Sequence, residues 1–463
     1  MLNYIWLGLV ALAVLIGGAT GRLAEVTSGA FQMADTAVMK IALPLIGIMA
    51  LWLGLMRLAE RSGLVQQLAR ALRAPMRWLF PEVPTEHPAM GSMLMNMAAN
   101  MLGLANAATP LGLRAMRDLE TLNKFPGTAT NAMCTFLAIN TSSIQLLPTT
   151  AIAILAAQHS QDPTAIVGTA LLATICSTVA GISAVKWLQH WPVFRLQPAA
   201  TEVATTGPSA PTPAPATETE PLAEPTPLTP WGRTTLWLLV AAFAALFVWI
   251  VLAPAGYHSA TAALHARIFP AQVAPPAWED VSAQHVALRA IGTLSLLAVP
   301  ALLVFFPLYA ALRGVKVYEE FVEGAKEGFP VILRVIPFLV AILVAIGMFR
   351  GAGGIEALKS VLAPLLTPLG FPPDLLPMVL VRPLSGSATI GLFTELAQRL
   401  GPDALITRMA GTIYGSTETT FYVIAVYFGA VGIRRTRHAV AAGLFADFIG
   451  VVASVAICQL MFG

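Results

Sequence analysis

Glu418 lies in GSTETTFYVIAVYFG, with apolar segments on both sides and nothing basic within a helical turn. A carboxylate at that depth stays charged only where a cation or several hydrogen-bond donors hold it. Its chemistry is therefore that of a coupling-ion ligand or a partner for a substrate amine. The structural alternative is a Glu bonded to its threonines that locks two helices together. Ser416, Thr417, Thr419 and Thr420 place hydroxyls on several faces around it, and Gly415 permits a helix break that frees backbone groups for a ligand. Tyr414 and Tyr422 flank the cluster as rings for a planar ligand, although packing is the commoner use of Tyr in membrane helices.

The same pattern occurs earlier, in NAMCTFLAINTSSIQLLPTT at 131–150. Aligning Thr135 with Thr412 places Asn140, Thr141, Ser142 and Ser143 on Thr417, Glu418, Thr419 and Thr420. Thr141 stands where the second copy has Glu418, so the two half-sites are chemically unequal. Duplicated polar clusters inside apolar runs point to a binding site where two repeats meet.

Arg382 opens RPLSGSATIG inside another apolar run. Pro383 and Gly386 predict an interrupted helix there, with Ser385, Ser387 and Thr389 around exposed backbone. An Arg in that setting requires an anion: Glu418, Glu395, or a substrate carboxylate or phosphate. The corresponding stretch of the first half, NMAANMLGLANAATPLG, carries Asn96, Asn100 and Asn106, of which Asn96 and Asn100 share a helical face. Amides in lipid bond helices together about as often as they bind ligands.

These residues need membrane-spanning elements to position them, and the composition supplies them. Of 463 residues, 57% are hydrophobic and 11% charged, with a mean hydropathy of +0.74; soluble domains carry about 25% charged residues. The fold class expected is an all-α polytopic membrane protein in the bacterial inner membrane, with the lipid bilayer as its first partner. A net charge of +3 indicates no nucleic-acid partner. The scattered cysteines, Cys134, Cys176 and Cys458, read as small buried hydrophobes, and the seven histidines as loop residues. No metal-ligand spacing, phosphate loop, dinucleotide fingerprint or nucleophile elbow occurs. The expectation is accordingly no enzyme and no cofactor, with H⁺ or Na⁺ coupling as the energy source.

Spans are expected at 2–18, 38–58, 90–113, 132–157 and 166–188, then at 236–252, 291–312, 331–349, 376–393, 406–428 and 439–462. No Lys or Arg precedes the first, so it reads as a retained span rather than a cleavable leader. Shorter stretches at 64–80 and 355–369 read as interfacial or re-entrant. Residues 198–230, rich in Pro, Ala, Thr and Glu, form a solvated linker between a first membrane half (1–197) and a second (231–463).

The duplication covers about 38–157 and 331–430. VMKIALPLIGIMALWLGLMR matches VILRVIPFLVAILVAIGMFR, pairing Pro44 with Pro337, Gly54 with Gly347 and Arg57 with Arg350. Phe80-Pro81 then meets Phe371-Pro372, and Gly103 meets Gly391. If 38–80 and 331–369 are hairpins that return to their own side, the repeats are inverted, which is the preferred reading; broken helices facing each other are how midplane sites are built.

The strings NMAANMLGLANAATPLGLRAM and TATNAMCTFLAINTSSIQLLPTT resemble spore maturation protein A, and RPLSGSATIGLFTELAQRLGPDALITRMAGTIYGSTETTFYVIAVYFGAVGIRRTRHA resembles spore maturation protein B. The chain thus looks like a fusion of the two. Both belong to the nucleoside-recognition, or Gate, group, which is also similar to the core of concentrative nucleoside transporters and to the membrane part of ferrous-iron transporter B. The resemblance implies transporter-like repeats. The expected function is movement of a small polar, nucleoside-like solute, with ion coupling through Glu418 and a second copy of the chain as an open option. The alternative is a scaffold that recruits an envelope partner.

Overall fold

Hydrocarbon offers backbone N–H and C=O groups no partners, so a chain this apolar satisfies them within helices. The computed structural model describes residues 2–194, 226–269, 281–366, 368 and 370–463. Residues 198–225 of the expected linker at 198–230 lie outside the described residues.

The first half forms α1 (Leu2–Thr20), α2 (Leu23–Asp35), α3 (Leu43–Arg61), α4 (Leu64–Ala71), α5 (Arg73–Leu79), α6 (Pro88–Met101), α7 (Ala105–Glu120), α8 (Asn131–Thr141), α9 (Thr149–Ala157) and α10 (Ile166–Leu188). The second forms α11 (Pro230–Leu252), α12 (Pro254–Ile268), α13 (Val286–Leu312), α14 (Val317–Lys326), α15 (Gly328–Gly351), α16 (Gly354–Leu366), α17 (Leu376–Val381), α18 (Gly386–Leu400), α19 (Leu405–Ser416), α20 (Thr420–Gly429) and α21 (Ala439–Phe462). A π-helical turn, Thr36–Ala42, joins α2 to α3 in one 39-residue run. Among the described residues, six helical runs are long and apolar enough to cross a membrane. The protein is a multi-pass membrane protein.

Four expected spans fold as helix pairs with a break between them, at 102–104, 142–148, 382–385 and 417–419. Backbone chemistry marks three of these interruptions. Gly103 takes a left-handed conformation at φ +77°. Ser143 does so too, at φ +52°. Pro383 withholds an N–H, and Ser385 restarts the helix by accepting the Ala388 N–H at 3.2 Å. The freed backbone is reused across breaks: the Leu146 N–H donates to the Met101 carbonyl at 3.0 Å, and the Phe421 N–H to the Pro383 carbonyl at 3.0 Å. The same bond therefore ties two breaks together in each half.

Two helical hairpins are formed by α6–α7 and by α17–α18. Ser92 donates to Asp118 at 2.5 Å along the first, and Arg399 pairs with Asp374 at 2.6 Å at the open end of the second. At eight and seven residues, α4 and α5 are too short to return across a bilayer.

The repeats run in opposite directions. The loop before α8 meets the loop after α20, where the Ala129 N–H donates to the Arg435 carbonyl at 3.0 Å. The residues after α9 meet those before α19, where Ser160 donates to Asp403 at 2.6 Å. Likewise α2–α3 lies antiparallel to α15. A Cβ on Gly347 would sit 2.6 Å from the Gly29 carbonyl oxygen, and one on Gly328 would sit 3.1 Å from the Ala50 Cα. Small residues allow that approach, as in membrane helix pairs generally. One core runs through both halves and includes Phe136, Met133, Phe393 and Phe428. Cys134 and Cys458 are buried as expected, whereas Cys176 is exposed on the outer face of α10.

Candidate functional site

The second-half cluster is organised by Arg382, which is only 3% exposed. Its Nε donates to Thr417 Oγ1 at 3.2 Å. One terminal nitrogen donates to the Tyr414 carbonyl at 3.0 Å and to the Thr417 carbonyl. The guanidinium lies 4.4 Å from the centre of the Tyr414 ring and 3.8 Å from Glu418 Oε1. It thus neutralises the carbonyl end of α19 and faces Glu418 at the same time. Glu395 is excluded as its partner, because Arg350 and Arg399 already hold that carboxylate.

Glu418 is 30% exposed at its side chain. Its Oε1 accepts from the Thr419 N–H at 3.0 Å and the Thr419 hydroxyl at 3.2 Å. Ser416 bonds Ser454 on α21 at 2.9 Å, and Thr417 bonds back to the Ile413 carbonyl at 2.6 Å. Thr420 donates to Asp447 Oδ2 on α21 at 2.6 Å. Asp447 is 5% exposed, and among the described residues its Oδ1 meets no donor in ordinary hydrogen-bond geometry, with the Glu418 backbone beside it. Ser385 and Thr389 close the break before α18, where the Thr389 hydroxyl donates to the Ser385 carbonyl at 2.6 Å. Ser387 is half-buried in the first turn of α18.

The first-half cluster is an amide chain. Asn100 donates to Asn140 Oδ1 at 2.8 Å, and Asn140 donates to the Phe136 carbonyl at 2.9 Å. Asn96, fully buried, donates to the Ala108 carbonyl at 2.7 Å across the hairpin. The Asn106 side chain lies outside what the structure describes. Thr141 bonds the Ala138 carbonyl at 3.1 Å, and Ser142 bonds Thr178 on α10 at 3.1 Å. The Ser142–Thr178 and Thr420–Asp447 bonds link a helix break to α10 and to α21 respectively, with hydroxyl against hydroxyl in one half and hydroxyl against carboxylate in the other.

The halves meet here. Ser143 donates to the Gly415 carbonyl at 3.3 Å. Asn96 lies 3.3 Å from the Tyr427 hydroxyl. A Cβ on Gly443 would touch Thr420 at 2.8 Å and Thr141 at 3.2 Å, so the two breaks face the same strip of α21. A cavity of about 500 Å³ reaches Ser385 and Ala388 from between α1 and α15. Among the described residues no three His, Cys, Asp or Glu gather as a metal centre would need. The carboxylate and hydroxyl oxygens of Glu418, Asp447 and their neighbours suit a proton or a hard monovalent cation, with the Arg382 guanidinium 3.8 Å from Glu418 as the competing charge.

Sequence reasoning missed two residues. Asp447 sits in an otherwise apolar span, and a lone intramembrane carboxylate was the available signal. Tyr427 reaches the other half at the junction, stacking on Phe136 with ring centres 6.0 Å apart. Tyr414 carries Arg382 on its face and bonds Thr150 of the first half, and Tyr422 is 58% exposed. The histidines are also not all loop residues: His258 and His265 lie on α12, and His438 is buried beside α21.

Inverted repeats with facing broken helices thus meet at a polar junction inside a multi-pass membrane protein. Residues 42–158 and 332–434 match the Gate family, described as nucleoside recognition. Spore maturation protein B of Bacillus subtilis (strain 168) is 45% identical over 173 residues, covering 37% of this chain and 97% of that protein. Spore maturation protein A of the same strain is 43% identical over 182 residues, covering 39% of this chain and 92% of that protein. The chain belongs to the spore maturation protein A and B group of the Gate nucleoside-recognition family, and joins both kinds in one polypeptide.

Proposed function

We propose that the protein moves a small polar, nucleoside-like solute across the bacterial inner membrane, coupled to H⁺ or Na⁺ through Glu418 with Asp447 beside it. The observation that carries this reading is the division of the junction. Carboxylates and hydroxyls gather on the second-half breaks, and the amides Asn96, Asn100 and Asn140 gather on the first-half breaks. Amides offer both donors and acceptors, which suits hydroxyl and base edges of a neutral solute. Carboxylates suit a cation. No catalytic step is assigned to these groups.

One observation favours the scaffold reading instead. Arg382, Ser416 and Thr417 all find partners inside the protein, as residues that only bond helices would. The test is uptake of a panel of radiolabelled ribonucleosides into proteoliposomes under an imposed H⁺ or Na⁺ gradient. Coupled uptake by the wild type, lost in a stably folded Glu418→Gln variant, supports transport. Full uptake in that variant removes Glu418 from the mechanism. No uptake of any panel member by the wild type favours the scaffold.

A further inference from the structure

Away from the polar junction, Arg70, Arg233 and Arg313 line one open pocket of about 470 Å³, together with Gln67, Pro227 and Leu228. Among the described residues, none of the three arginines makes an ion pair and no carboxylate lines the pocket. Three guanidinium groups around one concavity repel each other unless an anion sits among them. A chain relying only on arginine's affinity for helix carbonyl ends would spread these charges rather than converge them.

The pocket's depth follows from the helices that build it. Arg313 caps the end of the membrane-length α13, and Arg233 lies in the first turn of the membrane-length α11. These two ends are fastened together, because the Thr226 hydroxyl donates to the Arg313 carbonyl at 2.5 Å. Arg70 comes from the last turn of α4, which lies beyond the end of α3. The three charges therefore sit where apolar spans give way to polar surface, the level of lipid headgroups. Trp231, 84% exposed one turn from the pocket, is the amphipathic residue expected at that level.

The orientation of the donors is also partly fixed. Arg313 Nε donates to the Ser62 carbonyl at 3.0 Å, which anchors the guanidinium and leaves its terminal nitrogens for a ligand. Gln67 is held by the Tyr309 hydroxyl. Arg70 and Arg233 are exposed and make no side-chain hydrogen bond among the described residues.

We propose that this pocket is a binding site for the phosphate headgroup of an anionic phospholipid. Guanidinium forks match phosphate oxygens bidentately, and basic pockets between membrane helices are a recurrent headgroup site. Leu228 and the apolar flank of α11 supply the surface along which the acyl chains run. Free phosphate shares the headgroup chemistry but lacks those chains.

The test uses the full-length detergent-purified protein and an Arg70→Gln/Arg233→Gln double variant, which leaves the anchoring Arg313 in place. Thermal stabilisation is titrated with dioleoyl-phosphatidylglycerol, with dioleoyl-phosphatidylcholine and with inorganic phosphate. The expected result is saturable stabilisation of the wild type by phosphatidylglycerol alone, weakened roughly 30-fold in the double variant. Equal response of both proteins to phosphatidylglycerol overturns the proposal, as does equal response of the wild type to phosphatidylcholine. Stabilisation by inorganic phosphate at the same concentration as by the lipid assigns the site to a soluble anion and overturns the lipid assignment.

Discussion

Replacing Arg382 by Met keeps the packing of its aliphatic stem and removes its charge and donors. The Tyr414 and Thr417 carbonyls then lose their donor at the end of α19, and Glu418 loses the cation 3.8 Å away. Breaking one side of a buried charged set costs about 3–5 kcal/mol. Glu418 is 30% exposed at its side chain, so water recovers part of the ion-pair share, and about 3 kcal/mol is the expected loss. For a folding unit the size of one half, that lowers Tm by roughly 6–12 °C. The buried thiols Cys134 and Cys458 make the assay direct, since a thiol-reactive fluorophore reports their exposure as the protein unfolds; Cys176, already exposed, sets the baseline. Adding Glu418→Gln to Arg382→Met should recover only a small part of the loss, because the orphaned carbonyls remain. A shift below about 2 °C in the single variant would refute the claim that Arg382 holds the α19–α20 break together.

Two further outcomes follow from other parts of the molecule. Burial, with Arg437 and Lys186 nearby, pushes the His438 imidazole from its ordinary 6.5 down to about 4. The unfolded chain therefore takes up the proton first, so a stability penalty is absent above pH 6.5 and grows as pH falls toward 4. Tm should drop between pH 7.5 and 5.0 by less in His438→Leu than in the wild type, and an identical drop would remove His438 as a source. Cutting the linker between Thr217 and Leu222 should leave two fragments that co-purify, since Thr169–Thr412 at 2.8 Å and Arg437–Asn131 at 2.9 Å are among the contacts joining the halves; fragments that separate in mild detergent would contradict that.

What the sequence revealed depended on whether the signal was local. Apolar run lengths and the Thr135/Thr412 alignment located the spans and the paired clusters, because both are written in consecutive residues. Gly415 and the Pro383/Gly386 pair marked the second-half breaks through backbone chemistry alone, whereas the first-half breaks lay inside runs that read as continuous spans. Helix pairing was not local: the 90–113 run read as one span, and its folding into the α6–α7 hairpin depends on which surfaces the two helices bury against each other. Partner choice was equally hidden. Arg382 had two carboxylates open to it, and Glu395 was removed by Arg350, a residue 45 positions away. Asp447 stayed hidden because α21 carries its carboxylate outside the duplicated motifs.

The central claim is that the two breaks of each half form one shared site. Its most direct test is a double-mutant cycle in proteoliposome uptake, using Asn140→Ala from the first half and Glu418→Gln from the second. A shared site predicts that each single variant, folded by its thermal profile, loses most coupled ribonucleoside uptake and that the double variant is little worse than either. Losses that simply multiply, or a first-half variant that transports normally, would contradict it.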